Sequence, residues 1–259
     1  MTVPKAETEA VDRRSLHERI AADLRDDIMS GELTPGSSLP STAQLKERFD
    51  ASNATVQKAL RLLKEESLVV GRAGASVTVR EHRRRTVRLA ALMTPGSPDE
   101  PYRWLTEAAR HGTHARSVLR DVAEVRPPAD VRSALGLPVD GTALLRSQLL
   151  MIDDEPAELV DCYYPVGIAR GTALAERRRI KGGAPALPTE LGHPPRRSVD
   201  RVSARIPTQE QYQALRLTSS TPVLRTLRVV HGDEGGPVEV TVMVKAGHLY
   251  ELRYEFDVE

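Results

Sequence analysis

The sequence predicts an α+β protein of two domains. Three observations carry that prediction. Polar capping residues open three short amphipathic helices between residues 15 and 66, and a glycine-containing hairpin follows them directly. The second half of the chain then repeats a unit of helix, strand, turn and strand.

Residues 1–13 are polar, carry acids and contain Pro4, which predicts a disordered tail. They hold no apolar segment of the kind a signal peptide needs. Ser15-Leu16-His17-Glu18 fits a capping box, in which the hydroxyl and the carboxylate satisfy free backbone N–H groups. Leu16, Ile20, Leu24 and Ile28 recur every four residues and place one apolar stripe on a helix. Gly31 is its expected stop, and Thr34-Pro35-Gly36 reads as a turn.

Ser41 with Gln44 is a second capping box, for a short helix reaching about Phe49. Asp50-Ala51 is a tight connection, and Ser52 caps a third helix that runs to about Glu66. A short helix, a turn and a longer helix make a helix-turn-helix unit. The third helix is two-faced. Val56, Leu60 and Leu63 lie on one side; Asn53, Gln57 and Arg61 lie on another, with Lys58 and Lys64 beside them. Asn and Gln amides can pair with adenine edges, and Arg or Lys with guanine or phosphate. The same pattern also suits an ordinary amphipathic helix. Leu68-Val69-Val70 and Val77-Thr78-Val79 read as strands of a hairpin whose tip, residues 71–76, includes Arg72 and Gly74. A basic hairpin placed after such a helix is a wing. Arg72 would reach a minor groove or phosphate, and Gly74 would let the backbone approach closely.

Composition agrees. At 40% hydrophobic and 28% charged residues the chain has the balance of a globular protein. No apolar run is long enough for a membrane span. The single cysteine, Cys162, cannot form an intramolecular disulfide, and a reducing cytoplasm is the expected compartment. Net charge is only +1, but residues 41–85 hold 10 Lys and Arg against 5 Asp and Glu, a local footprint for phosphate. His82-Arg83-Arg84-Arg85 lies in a stretch, 82–88, that reads either as a solvated linker or as one that also touches phosphate.

Residues 16–80 resemble the DNA-binding domain of the GntR family of bacterial regulators. The resemblance rests on the stretches Ile28 to Leu33, Pro35 to Ser41, Thr55 to Leu60 and Gly74. It implies a winged helix-turn-helix at 14–81 and contacts to double-stranded operator DNA from Ser41, Ser52, Asn53, Thr55, Gln57 and the wing. Lys58, Arg61 and Arg72 join that set on chemical grounds. Many relatives carry Arg where this chain has Ala43, Asn53 and Gln57, which implies a different operator, with adenine facing Asn53 and Gln57.

The repeat occupies the remainder. Ala134 to Leu137, Thr142 to Arg146 and Pro156 to Glu158 recur as Ala214 to Leu217, Thr221 to Arg225 and Pro237 to Glu239. The turns are Asp153-Asp154-Glu155 and 233–236, and Thr208 with Gln211 caps the second helix. Strands joined by hairpins are antiparallel, so helices packed on an antiparallel sheet are expected at 89–259. This region resembles the UTRA effector-binding domain of the HutC subfamily, through the repeat stretches and Tyr163-Tyr164-Pro165. The resemblance implies a chorismate-lyase-like fold that binds a small molecule without converting it. Arg146, Gln148 and Glu239 are the candidate effector contacts. Relatives often carry Arg at the position of Gln148, and some carry an aromatic residue at that of Lys245. An Arg fork suits a carboxylate or phosphate, so an anionic effector is expected. The alternative for Arg146 and Glu239, as for Arg225 and Glu158, is a surface cross-strand ion pair.

No enzyme chemistry is legible. His111 and His114 lack a third ligand, so no metal is expected; no phosphate-binding Gly loop or Gly-x-Ser-x-Gly elbow occurs. Lys181-Gly182-Gly183 reads as a loop, Arg177 to Arg179 as a solvated helix end, Trp104 as part of a helix on the sheet, and Cys162 as inert core. The expected function is a homodimeric, effector-released repressor without a cofactor. The alternatives are a ligand-independent repressor and a chorismate-lyase-like enzyme.

Overall fold

A computed structural model describes residues 12–71, 76–81, 85–87, 103–110, 112–180, 183–184, 187–218, 221–233, 235–247 and 250–254. The chain divides into two compact units, Met1–Arg83 and Arg84–Glu259. Residues 1–11 of the expected tail, Arg72 and Gly74 of the wing tip, residues 82–84, His111 and Lys181-Gly182 lie outside the described residues.

The first unit opens with α1 (Leu16–Ser30), whose start is the Ser15–Glu18 capping box. Its end is fixed by Gly31 at φ 89°, a left-handed conformation that a side chain would resist. Helix α2 (Thr42–Phe49) starts at the Ser41–Gln44 box. Asp50 then turns the chain at φ 45°, in the left-handed region that Asp tolerates better than most residues. Helix α3 (Asn53–Glu65) starts where the Ser52 hydroxyl accepts the Thr55 N–H. Ile20, Leu24, Leu45, Val56 and Leu63 are fully buried together. Strands β1 (Val69–Val70) and β2 (Thr78–Val79) pair antiparallel as the base of the hairpin. A third short strand-like contact went unread in the sequence: Ser38 bridges Thr78, with Gly36 N donating to Val79 O and Leu39 N to Val77 O. It stitches the turn before α2 to the hairpin.

The second unit is a six-stranded antiparallel sheet. It contains β4 (Ala115–Val125), β5 (Ala143–Ile152), β6 (Glu155–Pro165), β7 (Arg197–Arg205), β8 (Val223–His231) and β9 (Pro237–Ala246) in the order β4-β5-β6-β9-β8-β7. The repeat accounts for this order. Helix α5 (Ala129–Ala134) precedes the β5–β6 hairpin, and α8 (Gln209–Ala214) precedes the β8–β9 hairpin. The two hairpins join at the β6–β9 seam. Asp153 and Asp154, both at positive φ, make the tight first turn. Beside the sheet, β3 (Arg85–Val87) pairs with β10 (Tyr250–Leu252). That pair is parallel, and it puts strand where a linker was expected.

The two faces of the sheet differ. Val131, Leu135, Leu215 and Leu217 from α5, α8 and the residues after them cover Ala143, Leu159, Tyr163, Leu227, Val240, Val242 and Val244 in one apolar core. On the opposite face α6 (Val166–Ala169), the 3₁₀ turn Ala173–Ala175 and α7 (Leu187–Glu190) bring Ala169, Leu174 and Leu187 onto Leu144, Val160, Cys162 and Tyr164. Trp104, on α4 (Arg103–Arg110), packs against this second core. Arg177 to Arg179 follow the 3₁₀ turn as an exposed irregular stretch rather than ending a helix.

Candidate nucleic-acid interface and effector face

The capping that starts α3 also aims it. Val56, Ala59, Leu60 and Leu63 are buried against α1 and α2, so helical periodicity leaves Asn53, Gln57, Lys58, Arg61 and Lys64 exposed. The position of α3 is held by an ion pair. Arg25 on α1 donates through Nε and Nη2 to both oxygens of Glu66, at 2.8 and 2.6 Å, just after the last turn of α3. The Glu66 side chain is only 4% exposed, so this two-point contact sits where water screens it little.

The expected DNA-contact residues divide by role. Ser41 and Ser52 use their hydroxyls as caps, and Ser52 Oγ also lies 2.8 Å from Thr55 Oγ1. Their outer surfaces are exposed beside Asn53. Gln57 reaches Thr42 Oγ1 with its Nε2 at 3.4 Å, a long contact that leaves its amide oxygen open to a donor. No partner constrains Asn53, Lys58 or Arg61 among the described contacts. The structure therefore brings Ser41, Ser52, Asn53, Gln57, Lys58 and Arg61 to one exposed surface. Arg72 and Gly74, at the wing tip, are outside the described residues.

The second site is a layer of buried polar groups on the sheet face opposite α5 and α8. Cross-strand pairing sets Arg146, Cys162, Thr241, Arg228 and Asp200 side by side across five strands. Gln148, Val160, Met243 and Thr226 form the neighbouring row, and Glu158 and Lys245 belong to the next. Glu239 and Tyr164 flank the first row on its other side, since residues two apart share a face. The expected Arg146, Gln148 and Glu239 thus share one face.

Their partners are not those the sequence suggested. Arg146 and Glu239 are buried, at 4% and 7% exposure, and do not pair with each other. The Arg146 guanidinium donates to the carbonyls of Leu174, Glu176 and Arg178 at 2.6, 2.9 and 2.8 Å. It anchors the 3₁₀ turn and its following bend to β5, so the fork expected to hold an anion is occupied by backbone. Glu239 accepts from the Thr241 hydroxyl, which also lies 3.5 Å from Cys162 Sγ. Burial pushes the Glu239 carboxyl above its ordinary range, against that hydrogen bond. Burial likewise pushes the Cys162 thiol up. Gln148 accepts from Ser117 Oγ at 2.7 Å, which leaves its amide N–H groups as donors.

Four further charged groups on this face were not singled out as contacts. Arg228 grips Asp200 with two hydrogen bonds of 2.8 and 2.7 Å. Lys245 donates to Glu158 at 2.6 Å, with both side chains at most 4% exposed. The Glu158 expectation of a surface pair is corrected by that burial. Arg225 lies on the other face and reaches Asp130 of α5 at 2.7 Å. Only pairing register reveals these contacts. Among the described residues no cluster of three metal-ligating side chains occurs, and no helix is long and apolar enough to cross a membrane.

An exposed, capped polar helix in a helix-turn-helix, backed by a hairpin wing and joined to a separate sheet domain, defines a two-part DNA-binding regulator. Comparison with known proteins makes the assignment specific. The profile described as bacterial regulatory proteins, gntR family, matches residues 16–79, and that of the UTRA domain matches residues 110–251. This chain belongs to the gntR family and carries a UTRA domain. An uncharacterised HTH-type transcriptional regulator of Streptomyces coelicolor is 27% identical across 95% of this chain and 92% of its own length. The HTH-type regulator GgaR of Escherichia coli is 22% identical across 93% and 91%. The MngR repressor of a mannosyl-D-glycerate transport and metabolism system in Escherichia coli is 37% identical over 70 residues, covering 27% of this chain and 29% of its own. The crystal structure of PhnF from Mycobacterium smegmatis shares the fold, with a TM-score of 0.57 at 20% identity, covering 93% of this chain and all of that one. The chain is a DNA-binding transcriptional regulator with an effector domain, and its relatives are regulators rather than enzymes.

Proposed function

We infer that the chain is a homodimeric repressor that leaves its operator when a small molecule occupies the polar face of the sheet. The observation that carries the DNA half is the exposed column of Asn53, Gln57 and Arg61 on a helix whose start is fixed by Ser52. That surface fits the major groove, where Asn and Gln amides pair with adenine and Arg with guanine or phosphate. Lys58 and Arg61 supply phosphate contacts, with Ser41, Ser52 and Thr55 positioning the helix end. Arg72 and Gly74 act at the wing. Repression is the named role of MngR, whose similarity to this chain extends over 70 residues.

The effector half rests on Glu239 and Gln148 sharing a buried polar layer with unused hydrogen-bonding capacity. Arg146 serves that layer by holding the segment that covers it. Effector and DNA are linked if the effector prefers the conformation that fits the operator less well. Selection of bound duplexes from a random library tests the reading. An inverted repeat with adenine in the positions read by Asn53 and Gln57 is expected. Recovery of no enriched sequence, or of a single unrepeated half-site, overturns it.

A further inference from the structure

The buried polar face holds three cations, Arg146, Arg228 and Lys245, and three carboxylates, Glu158, Asp200 and Glu239. Each cation is already engaged: Arg146 by three carbonyls, Arg228 by Asp200, Lys245 by Glu158. Two of these cations are therefore paired with carboxylates and the third is held by backbone carbonyls, so each of the three already has partners. Bringing a phosphate or carboxylate into such a layer adds a buried charge without a partner, which is among the costlier events in a protein interior.

What the face does leave open is neutral. Thr226 is completely buried, and its Oγ1 has no hydrogen-bond partner. Ser198, at the end of the same face beside Val230, has a buried Oγ in the same condition. The Tyr164 hydroxyl is buried beside Glu239 and Cys162. Unsatisfied buried hydroxyls are destabilising and uncommon, and two on one sheet face mark a place where partners arrive from elsewhere. The Gln148 amide contributes N–H donors and Glu239 contributes an acceptor. Hydroxyls both donate and accept, so a ligand rich in hydroxyls matches this mixture of groups one for one.

We propose that the effector is an uncharged, polyhydroxylated small molecule, a sugar or polyol without a phosphate or carboxylate, bound against Thr226, Gln148 and Glu239. This rests on the reading of the polar face as the effector site. It replaces the anionic effector expected from the sequence, because the Arg146 fork is taken up by backbone carbonyls.

The test is a thermal-shift titration of the full chain against polar metabolites extracted from bacterial cells. Ion exchange divides them into anion-retained, cation-retained and unretained pools, and inorganic phosphate is run as a defined anion. The unretained pool is expected to raise Tm by about 2 °C or more, with no shift from phosphate or the retained pools. Thr226→Val should fold at least as stably, having lost an unsatisfied hydroxyl at nearly constant shape, yet lose the shift; Thr226→Ser should keep it. A shift confined to a retained pool or to phosphate overturns the uncharged class while leaving an effector site in place. A full shift in the Thr226→Val variant overturns the placement. No shift from any pool overturns both this proposal and the effector reading it rests on.

Discussion

Gln57 and Arg146 show how differently two polar side chains can be used in one chain. Gln57 is exposed and held only by a long contact to Thr42, so its loss should leave the fold intact. Gln57→Ala is expected to weaken binding to the selected operator by about 1–3 kcal/mol and to leave binding to scrambled duplex unchanged, read by gel-shift titration. Arg146 is the reverse case. Arg146→Met removes the donors of three carbonyl contacts, one buried and two part-buried, and should lower unfolding free energy by about 2–3 kcal/mol in urea titrations. Glu239 adds a pH dependence. Burial raises its folded-state pKa above the unfolded value, so the folded chain keeps this proton to a higher pH. Stability should then fall as pH rises from the ordinary carboxylate range through the raised value, and Glu239→Gln should flatten that fall. Asp161, also raised by burial, contributes in the same direction and remains in the variant. The chemistry of Gln148 and Glu239 was legible in the sequence, but their surroundings were not. Asp200 lies 39 positions from Glu239 in the chain, and only the register of β7 on β8 and β8 on β9 places both on one face with Arg228.

Among the elements, those with local signals were the legible ones. Ser15, Ser41, Ser52 and Thr208 each announced a helix start that the backbone confirms, because a cap is a contact within four residues. The β5–β6 and β8–β9 hairpins were legible because a turn and two apolar strands lie together in the chain. The edge strands β4 and β7 were not. Residues 115–125 and 197–205 scatter charged residues among short apolar ones instead of forming long apolar runs, as suits strands at the two edges of a sheet with much exposed surface. The Ser38–Thr78 bridge was missed because a single bridging residue has no periodicity to read. The tie between α1 and α3 was also invisible, since Arg25 and Glu66 stand 41 positions apart. It is open to measurement. Arg25→Ala leaves Glu66 buried without its two-point partner and should destabilise the DNA-binding unit by about 1–3 kcal/mol. Because the pair sits behind α3, the same variant should weaken operator and scrambled duplex together, unlike Gln57→Ala.

At the scale of the whole molecule, the regulator reading turns on how many recognition helices meet the DNA at once. A single α3 spans only a few base edges, and its exposed column of Asn53, Gln57 and Arg61 covers about two helical turns. One such helix gives modest discrimination, while two related by a twofold axis read two half-sites whose separation is fixed by the dimer. The helical repeat of DNA then makes binding sensitive to phase. Inserting about 5 base pairs between the half-sites of the selected operator turns the second half-site to the opposite side of the duplex, and should reduce affinity to that for one half-site. Inserting about 10 restores the facing but stretches the spacing, so recovery measures how far the two DNA-binding units can separate. Affinity indifferent to both insertions would mean that each chain binds alone, and the dimeric operator would have to be abandoned while the readout by Gln57 stood.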